Sequence, residues 1–353
     1  ELAEKPGATM AEIVADEAKY LESSRRQGDA DYWRERTREM PERATLSKSA
    51  GLAPISADNV VVSEVVDPDL QRRLEGRAAA EGSSLAVVLT AAFGAFMARM
   101  TGTDDVVLSL PVSGRATAKI KRGAGMLSNL LPIRLTSIGE RTCGELIAAA
   151  QVELTGALRH QRYRSDDIRR DAGFSGQAYG FGPSINMVFF DEPVAVDGAS
   201  ADYRILTSGI LEDLLFNLYQ ASPGAPLVID LHGNPHLYTA ATLETHHRRF
   251  LAFAERFIDS PTTGVLDIDL FVDQERETVD EFAIAPPNDL EDGDAPTVVE
   301  AFAAVVAEHA DRVMITDSGR QWTFAEFDAQ AKSFAQQLVD GGVQPGHRVV
   351  IVL

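Results

Sequence analysis

The stretch NVVVSEVVDPDLQRRLEGRAAAEGSSLAVVLTAAFGAFMARM, residues 59–100, decides the fold. NVVVSEVV is rich in β-branched residues and predicts a strand. DPDLQRRLEGRAAAEG predicts a helix, with Pro68 at an early position and Gly82 closing it. SSLAVVLTAAFGAFMARM is apolar almost all round, which predicts a buried helix capped by Ser83 or Ser84. A helix of that kind needs other elements packed on every side.

Downstream the alternation continues. DDVVLSLPVSGR predicts a strand leading into a basic loop, NLLPIRLTS a strand, and TCGELIAAAQVELTGALRHQ a helix. PSINMVFF, DYRILTSG, LLFNLYQ and PLVIDLHG predict four more strands, and AATLETHHRRFLAFAERFID a long helix. Strands separated by helices, then strands in succession, predict an α/β layer with a mixed sheet covered by helices. Upstream, residues 1–50 are polar with helical spacing and end near Pro41; they predict a helical segment packing on something larger. Residues 51–280 predict the α/β unit. Residues 281–297, acidic and carrying prolines, predict a solvated linker. Residues 298–353 predict the beginning of a second α/β domain. The chain opens on Glu1 and ends at Leu353 inside an apolar run, so it reads as a piece of something longer.

Composition narrows the function. A formal charge of −20 argues against nucleic acid and anionic membrane surfaces as partners. No run is long and apolar enough to span a membrane. The one cysteine, Cys143, can form no internal disulfide, which fits a cytoplasmic location. No cluster has metal-ligand spacing, so no metal site is expected. GGVQPG lacks the Lys and Ser/Thr of a phosphate-binding loop.

LETHHRRFLAF, residues 243–253, raises the question of catalysis, because it holds His246 and His247 side by side. Helical spacing puts Leu243, Phe250, Phe253, Ala254 and Phe257 on an apolar stripe, with His246 on it or at its edge. His247, Arg248 and Arg249 are expected to face solvent. A general base needs a fixed tautomer and a substrate within reach. An amphipathic helix covering a sheet supplies neither, so the pair reads as scaffold.

Several strings, in order, resemble the C-terminal half of the condensation domains of nonribosomal peptide synthetases. GMLSNLLPIRL resembles the family's G-x-x-x-N-x-x-P-x-R segment, through Gly125, Asn129, Pro132 and Arg134. RHQRYRSDDIRRDAG resembles its HQ-Y segment, through His160, Gln161 and Tyr163. GPSINMVFFD resembles its G-P-x-x-N strand, through Gly182, Pro183 and Asn186. SGILEDLLFNLY resembles a strand pair carrying Ser208, Gly209, Asp213 and Leu214, with Ile210 where the family has proline. NPHLYTAATLETHHRRF resembles the closing helix. The subtype is similar to siderophore synthetases of the enterobactin kind. WTFAEFDAQAKSFAQQL and GVQPGHRVVIVL resemble the start of an adenylation domain.

The resemblance implies a lobe like chloramphenicol acetyltransferase, one arm of a V whose tunnel receives thioesters on 4'-phosphopantetheine arms of carrier proteins. It implies peptide-bond formation in the full synthetase, and ATP with magnesium for a complete adenylation domain. This chain itself is expected to bind no cofactor directly. The family's HHxxxDG signature is not met at His246, where Leu251 and Ala252 hold the Asp and Gly positions. The catalytic motif is therefore expected in a missing N-lobe, and this chain alone is expected to be inactive with no catalytic residue of its own. The alternatives are a non-catalytic carrier-docking lobe, or a stand-alone acyltransferase of the same fold.

By the same resemblance, Gly125, Asn129, Ser208, Gly209 and Asp213 are the candidate tunnel residues. Asn129 either offers its amide to a thioester or pantetheine arm, or fixes a turn through backbone. Gly125 is read as a backbone necessity. Ser208 and Gly209 either allow close approach of the arm or form an ordinary turn. Asp213 either orients a neighbouring group or is a buried, hydrogen-bonded carboxylate. Asn186, His160 and Tyr163 are read as structural. Arg115, Lys119, Lys121 and Arg122 form a basic loop that either meets an acidic carrier or stays solvated.

Overall fold

A computed structural model describes residues 7–48, 53–115, 118–123, 125–174, 180–189, 195–196, 199–200, 209–222, 224–272, 275–283, 296–317, 319–344 and 346–350. The chain divides into two units, Glu1–Thr278 and Val279–Leu353.

The first unit carries α1 (Met10–Leu21), α2 (Ser24–Arg36), β1 (Val60–Val65), α3 (Pro68–Ala80), α4 (Leu85–Thr101), β2 (Val106–Val112) and a short α5 (Ala118–Lys121). It continues with β3 (Asn129–Leu135), α6 (Cys143–Arg159), α7 (Ser165–Asp171), β4 (Ser184–Phe189), a small hairpin of β5 (Ala195–Val196) and β6 (Ala199–Ser200), β7 (Leu214–Gln220), β8 (Leu227–Gly233) and α8 (Ala240–Asp259). α9 (Glu275–Ala283) runs across the division into the second unit, and its last three residues fall in the stretch read as linker.

The main sheet has six strands in the order β1-β8-β7-β4-β2-β3. β7 and β4 are parallel, as are β4 and β2; the remaining pairs are antiparallel. The sheet is therefore mixed, as the alternation of elements predicted. The predicted strand DYRILTSG lies outside the described residues, apart from Gly209.

α4 forms as predicted. Ser84 caps it by accepting from the Val87 N–H, and Gly102 closes it in the left-handed conformation, φ 71°. Residues Val87 through Ala98 are all buried, because α3, α6 and α8 flank α4 while β2 lies beneath it. The side chains of Ile185, Phe216, Ile229 and Leu231 point into this helix layer and join the core. Strand alternation sends Ser184, Asn186, Leu215, Asn217 and Asp230 to the opposite face.

The N-terminal helical segment consists of two helices. It breaks at Glu22–Ser23, where Ser23 caps α2. It also belongs to the core: Trp33 is 1% exposed and its indole N–H donates to the His160 carbonyl at 3.0 Å. Polar composition hid this, because α2 buries only Asp29, Ala30 and Trp33.

The second unit holds α10 (Val298–His309), a hairpin of β9 (Val313–Asp317) and β10 (Arg320–Thr323), and α11 (Phe324–Asp340). Phe302 packs against Phe324 and Phe327. The strand predicted at HRVVIVL has no counterpart over 346–350, where no pairing partner exists among the described residues; 351–353 lie outside them.

Candidate functional site

The open face of β4 and β7 forms the floor of a cavity of about 480 Å³, within the usual range for small-ligand sites. Ser184, Asn186 and Val188 rise from β4, and Leu215 and Asn217 from β7. One wall is the turn Ile210–Asp213. The other is Arg43 and Ala44, from the segment that follows α2.

Several close contacts hold these walls. Arg43 pairs with Glu212 at 3.1 Å and donates to the Gly180 carbonyl. Glu212 in turn accepts from the Gly180 N–H at 3.1 Å. Gly182 lies so close to β2 that any side chain would overlap the Val107 carbonyl, which is why glycine stands before Pro183. The Ser109 hydroxyl fixes the same loop, accepting from the N–H groups of Phe181 and Gly182 and donating to the Gly182 carbonyl.

Asp213 sits at the cavity wall. Its Oδ1 accepts from the Tyr238 hydroxyl at 2.6 Å and from the Thr45 hydroxyl at 3.2 Å. Burial pushes its carboxyl above the ordinary carboxylate range, against the opposing pull of these two bonds. Between the unfolded value and the raised folded one, the folded protein holds the extra proton, so this group contributes stability that is lost as pH rises through that window. Asp213→Asn keeps both acceptor bonds and removes the titration. Relative to wild type, the variant should gain stability as pH rises from about 4. Paired denaturant titrations across pH measure this, and parallel profiles would remove the argument.

The other candidate residues lie elsewhere. The Asn129 side chain donates to the carbonyls of Gln161 at 2.9 Å and Tyr163 at 2.7 Å, and accepts from the Ser165 N–H at 2.9 Å. It pins the α6–α7 connection and borders a separate cleft of about 30 Å³. Gly125 is exposed at φ 124°, its carbonyl held by Arg115 at 2.8 Å. Gly209 is exposed at φ 78°, with its carbonyl accepting from the Asn59 amide at 3.1 Å. Ser208 lies outside the described residues. The cavity therefore gathers Asp213 and Asn186, but neither Asn129 nor Gly125.

His160 and Tyr163 each meet a carboxylate. His160 Nδ1 meets Asp29 at 2.7 Å while its ring stacks on Tyr32. The Tyr163 hydroxyl donates to Asp171 at 2.7 Å, and burial and that bond push it up to about 12. The basic loop is tied inward in part: Arg115 donates to the Ile120, Gly123 and Gly125 carbonyls, and Lys119 pairs with Glu12. Cys143, the first residue of α6, is buried, and burial pushes its thiol up to about 11.

The histidine pair is oriented opposite to expectation. His247 is the buried member, 2% exposed, on the stripe with Leu243, Phe250 and Ala254. The helix turns 100° per residue, so either histidine could fill that place; the Ile229 carbonyl, 2.9 Å from His247 Nε2, decides it. His247 Nδ1 lies 3.6 Å from Glu64. His246 is half-buried, burial holds its pKa down, and neither ring nitrogen has a partner among the described residues. The sheet lies between α8 and the cavity, so the pair does not line it.

Arg43, Glu212, Asn217 and Asp230 were not singled out from the sequence. For two of them a signal existed: LLFNLYQ and LVIDLHG each carry a polar residue in the middle of an apolar strand.

The profile of the family "Condensation domain" matches residues 1–279. The chain belongs to the condensation-domain family. A second profile, "AMP-binding enzyme", matches residues 302–353, so the start of an adenylation domain follows the condensation domain. Among curated proteins, a dimodular nonribosomal peptide synthase of Bacillus subtilis (strain 168) is 26% identical over 97% of this chain and 14% of its own length. Enterobactin synthase component F of Escherichia coli O157:H7 is 27% identical over 99% of this chain and 26% of its own length. Among solved structures, the first condensation domain of the calcium-dependent antibiotic synthetase, in complex with a substrate analogue, is 31% identical, with a TM-score of 0.69 over 76% of this chain and 59% of that one. The starter condensation domain of rhizomide synthetase is 32% identical, with a TM-score of 0.60 over 76% and 60%. The chain thus spans about a quarter or less of these curated relatives and under two thirds of these solved condensation domains.

Proposed function

We propose that residues 1–278 are the C-terminal lobe of a condensation domain in a synthetase of the siderophore-making kind. In that reading the lobe helps join two carrier-protein-bound aminoacyl or peptidyl thioesters through a peptide bond. The cavity on the open sheet face takes the 4'-phosphopantetheine arm, and Asp213 lines its wall. The following unit begins an adenylation domain, which in complete form uses ATP and magnesium. Such chemistry suits a cytoplasmic location.

One observation carries this reading: a condensation-family sheet whose face opposite α4 and α8 holds a cavity of about 480 Å³, lined by side chains from both central parallel strands. Within this lobe, Asp213 and Asn186 position ligand groups, while the general base comes from outside these residues. No HHxxxDG string occurs in the sequence, and the adjacent histidines lie behind the sheet. The amine of the acceptor thioester attacks the donor carbonyl, and the donor carrier's thiol departs with the proton the amine gives up.

The test uses the chain as it stands, with carrier proteins bearing aminoacyl thioesters. Carrier resonances should shift on titration while the thioesters stay intact and no amide product forms by mass spectrometry. Amide formation by this chain alone would show that the base is inside it. Absence of any carrier interaction would remove the docking role.

A further inference from the structure

From Asn186 the floor of the cavity continues into a row of polar side chains, of which Asn217, Asp230 and Ser63 have no part in the reaction scheme above. Asn186, Asn217, Asp230 and Ser63 occupy one register position across four adjacent strands, β4, β7, β8 and β1. Asn186 Nδ2 donates to Asn217 Oδ1 at 2.9 Å, and Asn217 Nδ2 donates to Asp230 Oδ2 at 3.3 Å. Asn217 is 2% exposed and Asp230 9%, so both sit away from water. Ionised carboxylate oxygens only accept hydrogen bonds. Burial works against ionisation of Asp230, but the His232 imidazole 3.8 Å away and the Ser63 and Asn217 side chains outweigh it and hold the carboxyl below its ordinary range.

That end condition fixes the direction of the whole row. Asp230 requires an N–H from Asn217, so the Asn217 oxygen must face β4. That oxygen requires an N–H from Asn186. The Asn186 oxygen is then left on the side away from Asn217, in a residue that lines the cavity. The assignment follows from valence rather than from telling nitrogen from oxygen in an amide. Linked hydrogen bonds of this kind reinforce each other in a low-dielectric setting.

We propose that Asn217 and Asp230 are positioning residues that hold the Asn186 amide with its oxygen toward the cavity, making the cavity selective for a ligand bearing an N–H donor, namely a secondary amide of a pantetheine arm. This rests on the reading of the cavity as the arm's binding site. An ester in the same place would set oxygen against oxygen.

The test compares pantetheine with an analogue in which each amide N–H is replaced by oxygen, titrated against the full 353-residue chain and followed by ligand-observed NMR. Wild type should favour the amide about tenfold, the equivalent of one hydrogen bond. Asp230→Asn can face Asn217 with either group, so the row loses its direction and the preference should fall to within about threefold. Asn186→Ala, at the cavity edge, should abolish the preference, and it serves as a second readout should Asp230→Asn not fold by its thermal transition. Equal binding of both ligands to wild type overturns the proposal alone and leaves the cavity's role standing. Retention of the full preference in Asn186→Ala, or in a folded Asp230→Asn, also overturns it. Failure of either ligand to bind overturns both this proposal and the reading beneath it.

Discussion

Phe250→Ala lowers the stability of the first unit by about 3–5 kcal/mol, the range for removing a large aromatic from a packed core. Phe250 is 2% exposed and sits among three other rings: Phe216 at 4.5 Å between centroids, Phe96 at 5.6 Å and Phe93 at 6.0 Å, all edge-on to it. Those rings come from α4 and β7, and Phe93 is stacked on Phe216 at 4.6 Å. Collapse of the vacated space would need α4 to move, yet α4 is held by α3, α6 and α8 at once. The cavity should therefore persist, placing the effect toward the upper part of that range. Denaturant titration should show a lower midpoint with the slope unchanged. Met126→Ala, at a side chain 90% exposed, is the control and should shift stability by less than about 0.5 kcal/mol. A shift of similar size in both variants would mean that the aromatic cluster does not anchor the fold.

The same cluster explains why the fold was legible. Phe93 and Phe96 on α4, and Phe250, Phe253 and Phe257 on α8, recur at helical spacing, and Phe216 sits at an inward strand position. Periodicity reports which side of an element is apolar. That is enough to place helices over one face of a sheet. It cannot distinguish neighbours 100° apart, which is how His246 and His247 came to be exchanged. Nor does it register a segment that contributes few but large contacts. The α2 helix is polar by composition, yet Trp33 reaches the core and bonds a carbonyl 127 residues away.

The site was less legible than the fold, because its residues act through partners distant in sequence. Asp213 draws on Thr45, 168 residues earlier. Arg43 meets Glu212 across 169 residues. Local sequence contains no trace of such pairings. What it does contain is a cost: Asn217 and Asp230 stand in apolar strands, where an unpaired polar group is unfavourable by a few kcal/mol. Each implies a partner without naming it. Register then supplies the name, since Asn217 lies opposite Asn186 on one side and Asp230 on the other.

Asn129 carries the second large expectation, because its two readings predict opposite results. Its side chain satisfies three backbone groups of the α6–α7 connection, and it is 8% exposed. In Asn129→Asp the new carboxylate can still accept from the Ser165 N–H, but it cannot donate to the Gln161 and Tyr163 carbonyls. Two buried acceptors lose their donors and face a negative charge, a cost of about 3 kcal/mol or more at neutral pH. Protonation restores one O–H donor, so the folded state favours the protonated form and raises the pKa of the new group above its unfolded value. The destabilisation should therefore shrink as pH falls toward that unfolded value, near 4. Stability of wild type and variant measured across pH tests this directly. A side chain serving chiefly to contact an acyl or pantetheine ligand would give the reverse pattern: near-native stability at every pH, with weakened pantetheine binding. The α6–α7 connection lies apart from the cavity floor, so binding by the folded fraction of the variant should match that of wild type.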